Sequence, residues 1–534
     1  MLDGWSEIDF AANEGSGFVL DWLWRQQNQH RLVLPKLLLL ADLRWFHATQ
    51  VFLLVCIFTI QLLHLALLCW SLRALGGWKG ALWRTGAGLA AFCLFCPSQW
   101  ENFTWGFQTC FVLPCLFATL SFIGLAQYWK SGYEATPHRP WMYLAVSILA
   151  AVGASYSLSN GNLVWPLLVI AAVVLRLPLK ATVSYVIAGA ASTALYLNNY
   201  TVYPGTTSAL HAPLEVLKYM AVYFGSSWLP AGIRAAEVIG LIGLTIAVLL
   251  LLMLPSLIRE RRPLMVQLIL MVMFCLGTAL ITALGRLSFG LQQAFSWRYQ
   301  SVALLFWGCL GLIGLGHLVA ERKSAENSLL ALQGAVLVIV TVAAFLAPRP
   351  ISIARLLGFQ VNAAAMALVT DVPDLEQIHW DDAHPEYVRS LVPYMRSNQL
   401  AVFHGRLPSL LGKSLQSAFT IAASDECRGE VRAVHFIPHA IPRAVQITGW
   451  AWDNKGQEAP STIVTATNGV INGVGVVGGW EAAIRQAHPE INTNYAGFLG
   501  YVTNVEPTDE IRVYAITTND SRKACYLSSV RAPS

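Results

Sequence analysis

The sequence predicts an α-helical polytopic membrane protein with about ten transmembrane helices and a C-terminal extracytoplasmic β-sandwich domain. Of its 534 residues, 55% are hydrophobic and only 12% are charged, and the mean hydropathy is +0.52. These values lie outside the range of soluble globular proteins. Long apolar segments recur between residues 48 and 347, and beyond residue 420 the chain alternates polar and apolar residues as β-strands do.

The apolar segments have lengths suited to membrane crossing, because a hydrocarbon core about 30 Å thick needs roughly 17–25 apolar residues per helix. The segments that fit or nearly fit cover residues 48–70, 82–97, 108–128, 141–156, 162–177, 181–198, 236–256, 264–284, 300–319 and 328–347. The stretch 213–229 carries Glu215 and Lys218, so we expect a helix that lies at the membrane surface there.

Lysine and arginine residues indicate which loops face the cytoplasm, since short cytoplasmic loops are enriched in them. One set of alternate loops carries twelve: Arg73, Lys79, Arg84, Lys130, Arg139, Arg176, Lys180, Arg259, Arg261, Arg262, Arg322 and Lys323. The other set carries four: Lys218, Arg234, Arg286 and Arg298. The first set is therefore predicted to be cytoplasmic, and both chain ends are predicted to lie outside.

This orientation divides the chain into four regions. They are an extracytoplasmic N-terminal loop (1–47), a transmembrane domain (48–347), an extracytoplasmic mixed and partly helical connector (348–420) and the β-sandwich (421–534). The predicted outer loops within the membrane domain are 98–107, 157–161, 198–235 and 285–299. An outer N-terminal loop with no helix before it is unusual for a bacterial-looking chain, and a further helix ahead of it would explain the arrangement.

The tail has local signals of both kinds. The stretch "HPEYVRSLVPYMRS" predicts an amphipathic helix, and "RAVQITGWAWD", "STIVTATNG", "GFLGYVTNV" and "EIRVYAITTN" predict strands. A short helix near "GWEAAIRQAHPEI" interrupts them. Trp450 and Trp452 fall on one face of their strand and are either sugar platforms or sandwich core.

Cysteine positions agree with this division. Eight of the ten lie in or beside apolar helices, where thiols act as small apolar fillers. Cys427 and Cys525 bracket the β-domain, and we expect a disulfide between them, with two free buried thiols as the alternative. No cysteine–histidine grouping has metal-ligand spacing, so no metal site is predicted.

Two arginines stand out because they lie on the predicted outer face, against the general trend of positive charge. Arg286 and Arg298 belong to "GRLSFGLQQAFSWRYQ", which also contains Tyr299. A charge at a membrane boundary costs energy unless it is paired. Guanidinium groups bind phosphate oxygens in a bidentate fork, so an anionic phosphate between the two is one explanation. The alternative is structural, with Arg286 capping a helix and Arg298 reaching toward water.

The stretch "WENFTWGFQ", residues 100–108, predicts another wall of an outer site. Glu101 is a candidate base or orienting carboxylate, and Asn102 and Gln108 are candidate substrate-binding amides. The alternative is an aromatic belt, because tryptophan gathers at membrane interfaces without any catalytic role.

The remaining candidates lie in two other outer segments. Asp3 and Asp9 are candidate general bases for an acceptor hydroxyl, or ordinary solvated acids. His30 and Arg31 either contact a carrier phosphate or mark the entry of the chain into the membrane. Asn160 lies in "SLSNGNLVWP", a helix start that suits an anion or is a loop rich in capping residues.

Taken together, these motifs resemble bacterial membrane-embedded glycosyltransferases of GT-C architecture. The resemblance is carried by the acidic N-terminal loop, "NQHRLVLPKLL", "WENFTWGFQ", "SLSNGNLVWP", "GRLSFGLQQAFSWRY" and "GWAWD…GFLGYV", which are spread over most of the chain. It implies a multi-pass protein of the bacterial inner (plasma) membrane. The position of Gln29 is more often acidic in that pattern, and no helix precedes the first loop here.

The resemblance implies a polyprenyl-phosphate-sugar donor that reacts on the outer face with a glycan, lipid or protein acceptor. Asp3 or Asp9 would then assist the acceptor, and Arg286 and Arg298 would hold the carrier phosphate. Membrane lipids are the other expected partner. No cofactor is predicted, and a divalent metal ion stays open.

Three other classes of function were weighed. A transporter or flippase of a glycan or lipid intermediate needs polar residues deep in the bilayer and often shows internal repeats, which the sequence lacks. A non-catalytic cell-envelope assembly protein would not require the outer loops to converge. Nucleic-acid binding is not expected, because no basic stripe extends beyond Arg259–Arg262.

Overall fold

The structure is a computed structural model of the full chain. It describes residues 5–13, 19–133, 140–201, 212–227, 232–321, 348–423 and 425–533. Asp3 and the predicted helix at 328–347 lie outside the described residues.

The chain divides into two compact units, and each is discontinuous in sequence. The helical unit comprises Phe18–Leu39 and Val51–Pro350. The β unit comprises Met1–Gly17, Leu40–Gln50 and Ile351–Ser534. The predicted N-terminal loop 1–47 therefore contributes to both units.

Helices make up most of the chain before residue 370. In order they are α1 (Trp5–Asn13), α2 (Val19–Trp24), α3 (Val33–Trp45), α4 (Val51–Ala74), α5 (Gly80–Phe95), α6 (Trp100–Thr104), α7 (Thr109–Ser131), α8 (Pro140–Ser155), α9 (Val164–Val174), α10 (Leu179–Leu197), α11 (Pro213–Gly225), α12 (Ile233–Leu252), α13 (Leu254–Arg259), α14 (Pro263–Arg286), α15 (Gln300–Glu321) and α16 (Pro348–Val369). The predicted N-terminal loop is thus largely helical, in α1 to α3.

Several of these helices are long and apolar enough to cross a membrane, which makes this a multi-pass membrane protein. Six such spans occur within the described residues: Val51–Ala74, Gly106–Ser131, Ile233–Leu252, Pro263–Phe289, Trp297–His317 and Pro350–Val369. The predicted count of ten is not confirmed. A helix as short as α5 or α8, with 16 residues, rises only about 24 Å.

One of the six spans was not expected. Pro350–Val369 falls in the region predicted to be a mixed connector. Its apolar residues are interrupted by Arg355, Gln360 and Asn362, which lowered the apparent hydropathy of the stretch. The sequence therefore indicated a helix-containing connector there and not a span-length helix. The C-terminal half of this helix packs in the core of the β unit, so it qualifies as a candidate span by length and composition alone.

Close packing of α11 against α12 depends on glycine. A Cβ at Gly240 would lie 1.7 Å from the carbonyl oxygen of Ala221, and one at Gly225 would lie 1.7 Å from that of Ala236. No larger side chain fits at either contact. Small residues let membrane helices approach this closely, and this contact holds α11 in the core of the helical unit.

The β unit contains one eight-stranded sheet. Its strands are β1 (Thr420–Ile421), β2 (Cys427–Phe436), β3 (Ala444–Asp453), β4 (Thr462–Thr467), β5 (Val470–Gly479), β6 (Gly497–Thr503), β7 (Glu510–Ile516) and β8 (Lys523–Arg531). The order is β1-β8-β7-β4-β5-β6-β3-β2, and all pairs are antiparallel except β1 with β8.

The predicted two-sheet sandwich is not confirmed, because these strands join in a single hydrogen-bonded sheet. The sheet curls so that β2 approaches β8, and the N–H of Val431 donates to Ser528 Oγ at 3.1 Å. The predicted disulfide between Cys427 and Cys525 closes the same edge, with a Cα–Cα distance of 5.9 Å. Strand alternation alone does not show whether strands form one sheet or two.

Each face of the sheet has its own core, as the two-residue period requires. Val445, Ile447 and Phe498 pack on one face. Val464 and Tyr501 pack on the other face with residues from α1, α16 and the amphipathic helix α18 (Pro385–Ser397), which follows the short helix α17 (Leu375–Ile378). Two more short helices are α19 (Leu415–Ala418) and α20 (Ile484–Ala487).

Trp450 and Trp452 belong to the core and are not sugar platforms. Both rings are buried in a small cluster with Ile484, Ile491 and Ala496. The predicted short helix, α20, supplies Ile484 to cover them. The alternation of strand β3 correctly placed both tryptophans on one face, and the structure shows that this face is covered.

Candidate functional site

Four segments that the sequence places on one membrane face converge in the helical unit. They are the chain around His30, the turn 97–108, the turn 157–163 and the loop 285–299. His30 Nδ1 lies 2.8 Å from Ser159 Oγ, and Asn102 Nδ2 donates to Ser301 Oγ at 2.7 Å. Short 3-10 turns at Pro97–Gln99, Gly106–Gln108, Ser159–Leu163 and Trp297–Tyr299 connect these segments to the long helices.

Glu101 and Arg298 form the charged centre of the site. The Glu101 carboxylate accepts a hydrogen bond from the backbone N–H of Arg298 at 3.0 Å and lies 3.5 Å from its Nε. Gln108 Nε2 reaches the same carboxylate at 3.4 Å. Glu101 thus contacts the backbone N–H and the side-chain Nε of Arg298. The same Nε also donates a hydrogen bond to Ser296 Oγ at 3.1 Å.

This geometry leaves the outer end of the Arg298 guanidinium open. In the described part of the chain, its two terminal nitrogens have no hydrogen-bond partner. The Arg298 side chain is 34% exposed, whereas that of Glu101 is 15% exposed. A guanidinium that is anchored on one edge and free on the other can bind an oxyanion in a bidentate fork.

Burial raises the pKa of Glu101, while the charge of Arg298 and the hydrogen bond from its backbone oppose that rise. The balance of these effects is a raised pKa. A carboxyl with a raised pKa is closer to the neutral range in which a general base works best. Glu101 therefore has the chemistry of either a base or an anchor for Arg298.

A buried network of amide and hydroxyl side chains holds the segments that carry Glu101 and Arg298. Asn102 Nδ2 also reaches the Arg298 carbonyl at 3.3 Å, and Ser301 Oγ donates to Gln99 Oε1 at 2.6 Å. Gln99 in turn donates to the carbonyls of Cys93 and Leu94 at the end of α5. Gln108 thus contacts Glu101 and Asn102 contacts Arg298, and the network fixes the turn 97–108 against the start of α15.

Arg286 lies on the same side of the unit. Its guanidinium lies over the Phe289 ring at 5.6 Å, and within the described ranges it has no ion pair or hydrogen bond. The phenol of Tyr219 interacts electrostatically with both Arg286 and Arg298. Two guanidinium groups from opposite ends of one loop are therefore both close enough to Tyr219 of α11 to influence its phenol.

His30 is close to this cation but is itself uncharged at neutral pH. Burial, assisted by the positive charge of Arg286, lowers the pKa of His30 to about 4. A neutral imidazole adds no positive charge for a phosphate. It is held by Ser159 and contributes a hydrogen-bonding ring at the edge of the site.

Arg31 was also predicted to bind substrate, but its side-chain hydrogen bonds go to backbone groups of the protein itself. Its side chain is 2% exposed and donates to the carbonyl oxygens of Trp24, Tyr196 and Asn198. Its guanidinium also lies over the Trp24 ring. These contacts join the ends of α2 and α10, so we leave Arg31 out of the proposed site.

Asn160 and Tyr299, also predicted to bind substrate, are each held by a neighbouring helix of the helical unit. Asn160 is buried and donates to Thr278 Oγ1 at 3.3 Å, and its Oδ1 has no partner among the described residues. The Tyr299 ring stacks on Tyr223 with a centroid distance of 5.2 Å. Tyr299 directly follows Arg298 in the chain, whereas no hydrogen bond among the described residues joins Asn160 to Glu101 or Arg298.

A pocket of about 260 Å³ lies next to the turn that carries Arg298, although Arg298 itself is not part of its lining. Its lining includes Ser226, Gln292, Phe295, Trp297 and Gln300. Gln300 Nε2 donates to Ser226 Oγ at 3.0 Å, while its buried Oε1 has no partner in the described residues. Two aromatic rings and an unused acceptor are typical of a site for a small polar molecule.

Asp9 lies in the β unit, where its carboxylate accepts from Asn13 Nδ2 at 2.6 Å and interacts with Tyr387. Asp3 lies outside the described residues. No group of three or more histidine, cysteine or acidic side chains among the described residues could hold a metal ion.

These observations were compared with known proteins. No family model, curated protein or solved structure matches the chain. The site must therefore be interpreted from its own geometry.

Four contributing residues were not singled out from the sequence. Gln99, Gln300 and Ser301 resemble ordinary helix-start residues, and Tyr219 lies in a helix assigned to the membrane surface. Gln300 directly follows "SWRY", so its closeness in sequence to Arg298 was the one feature of the sequence that indicated a role in the site.

Proposed function

We propose that this protein is a membrane-embedded glycosyltransferase of the GT-C type in the bacterial plasma membrane. It uses a polyprenyl-phosphate-linked sugar donor on the outer face of the membrane. The observation that supports this best is the convergence of four distant segments around Arg298 and Arg286, with a pocket next to the turn that carries Arg298. A non-catalytic assembly protein needs no such convergence.

In the proposed reaction, an acceptor hydroxyl oxygen attacks the anomeric carbon of the donor sugar. A carboxylate takes the hydroxyl proton, and the bond between the anomeric carbon and the phosphate oxygen breaks. Negative charge grows on the departing lipid phosphate, and Arg298 and Arg286 stabilise it through their free N–H groups. The candidate bases are Asp3, Asp9 and Glu101.

The sugar would occupy the pocket beside Arg298. Trp297 and Phe295 offer apolar ring surfaces, and Gln292 and Gln300 offer amide groups for sugar hydroxyls. We place the donor sugar here because Trp297 and Gln300 of the lining flank Arg298 in the chain, and Arg298 would hold the donor phosphate. In this proposal the β unit lies outside the cell.

The test is a strain that lacks the gene and is complemented with single variants, followed by analysis of its cell-surface glycans. We expect Arg298→Ala to lower glycan transfer by about 10²–10³-fold, the range seen when one group that stabilises a developing oxyanion is removed. Asp3→Asn, Asp9→Asn and Glu101→Gln identify the base, since one of the three should be as damaging as Arg298→Ala.

Arg234→Ala is the matched control, because Arg234 is an exposed arginine at the start of α12 in the same unit. Each variant must reach wild-type levels in the membrane. Unchanged glycans in all four site variants would contradict the enzyme proposal. Accumulation of a lipid-linked glycan on the cytoplasmic side in those variants would favour a flippase.

A further inference from the structure

The β unit carries an exposed aromatic group that the buried pair Trp450 and Trp452 does not explain. Trp480 directly follows strand β5 and is 54% exposed. Its ring meets the Tyr495 ring edge to face at a centroid distance of 5.0 Å. The two rings together form a small aromatic surface at the end of the strand.

The surroundings hold Trp480 in place. The backbone N–H of Glu481 donates to the Asn494 carbonyl at 2.7 Å, which fastens the two ends of the loop 480–496 together. Two ion pairs, Arg432 with Glu481 and Arg428 with Glu490, join this loop to strand β2. The loop that carries the Trp480 ring is therefore fixed to strand β2.

The end of strand β5 is also held by contacts with helix α16. A Cβ at Gly479 would lie 2.8 Å from the ring of Phe359 on α16, so the ring packs directly on the glycine backbone. Gly478 has φ +131°, a conformation that favours glycine and turns the strand end. From the same helix, the Arg355 guanidinium lies over the Tyr495 ring at 5.3 Å.

We propose that Trp480, with Tyr495 and the Arg432–Glu481 pair, is a binding site for one sugar ring of a glycan. The C–H face of a sugar ring is apolar and weakly positive, so it stacks on the negative face of an indole. In this proposal the Glu481 carboxylate accepts hydrogen bonds from sugar hydroxyls, and the guanidinium groups of Arg432 and Arg355 donate hydrogen bonds to them.

The size of the surface favours a sugar over a protein partner. A stable protein interface buries about 800 Å² on each partner, far more than one indole and one phenol supply. The exposed Phe436 and Ile441 do not enlarge this surface. Phe436 pairs with Val445 at the start of strand β3, whereas Gly497 of the Trp480 region pairs with Trp450 near the other end of that strand. The adjacent ion pair also opposes insertion into lipid.

This site is independent of sugar transfer, because binding needs no donor lipid. The test uses the full-length protein in amphipol without sugar-based detergent, which would compete. Binding is measured by biolayer interferometry against immobilised gluco-, galacto-, manno- and arabino-oligosaccharides of four to six units.

We expect wild type to bind at least one of these oligosaccharides, and Trp480→Ala to weaken that binding about tenfold or more. Trp480→Phe should retain part of the affinity, and Trp380→Ala, which removes another exposed tryptophan of the β unit, should retain all of it. Arg298→Ala should bind like wild type, which separates this result from the outcome for transfer.

Absence of binding to every oligosaccharide, or equal binding by wild type and Trp480→Ala, would overturn the proposal. If Trp480→Ala instead binds normally but loses thermal stability only in lipid nanodiscs, Trp480 is an anchor at the bilayer surface and not a sugar site.

Discussion

Two arginines of the helical unit, Arg31 and Arg298, look alike in the sequence but differ in the structure. Arg31 is buried and directs its guanidinium to three backbone carbonyl oxygens. Arg298 is held along one edge by Glu101 and Ser296 and is open at the other. The number of unused donors, and not the presence of charge, therefore distinguishes a structural arginine from a candidate ligand-binding one.

The largest effect on stability should come from Arg31→Ala. The substitution leaves three carbonyl acceptors without their donor, one of them buried and two part-buried, and an acceptor left unpaired away from water costs about 1–3 kcal/mol. We expect a loss of about 4 kcal/mol in the free energy of unfolding. Thermal unfolding in nanodiscs measures it, and Arg298→Ala in parallel should cost less than about 1 kcal/mol, as a partly exposed pair does. Equal losses in the two variants would remove the distinction.

The next effect concerns His30 and pH. Its pKa is about 4 in the folded protein, below the ordinary value of 6.5, so the unfolded chain binds the proton more readily. The stability that neutral His30 contributes is complete above pH 6.5 and is lost as pH falls toward 4. The loss should be about 3 kcal/mol at the lower limit.

Thermal unfolding between pH 7 and 4 checks this expectation, with His30→Gln as the control that lacks the titrating ring. Glu101 acts in the opposite sense, because its raised pKa makes the fold relatively more stable as pH falls. A wild-type curve with the same pH dependence as His30→Gln would contradict the burial argument.

The smallest effect is the coupling between Glu101 and Arg298. A double-mutant cycle with Glu101→Gln, Arg298→Ala and the double variant should give an interaction free energy of about 1 kcal/mol for unfolding. The same cycle for glycan transfer should be strongly non-additive if Glu101 acts by orienting Arg298. Additive losses of transfer would instead indicate that the two residues work in separate steps.

The sequence was most informative where one local rule decided the outcome. Strands β3, β4, β6 and β7 follow from alternation, and the disulfide follows from a cysteine pair at the ends of a domain. Strand β5 was missed because Gly473 and Gly475 weaken its strand signal. A Cβ at Gly473 would lie 2.2 Å from the Tyr501 carbonyl oxygen, so neighbouring backbone and not strand propensity requires glycine there.

The site was predictable only in part. Glu101, Asn102, Gln108 and Arg298 were identified because polar residues between apolar segments are rare, and the structure brings them together. The role of Arg31 was not predictable, since its partners are carbonyl groups at the ends of two other helices. The last carbonyl groups of a helix have no partner within the helix, and the amino-acid sequence does not reveal which side chain will bind them.

The central claim is that convergence of the outer segments makes a site for a lipid-borne phosphate at Arg298 and Arg286. The most direct test is the affinity of the purified protein in nanodiscs for polyprenyl phosphate without sugar or acceptor, measured by native mass spectrometry. Each charge-assisted hydrogen bond contributes about 1.5–3 kcal/mol, so Arg298→Ala and Arg286→Ala should each weaken binding about tenfold or more, with Arg234→Ala unchanged. Equal affinity in all four proteins would contradict the claim.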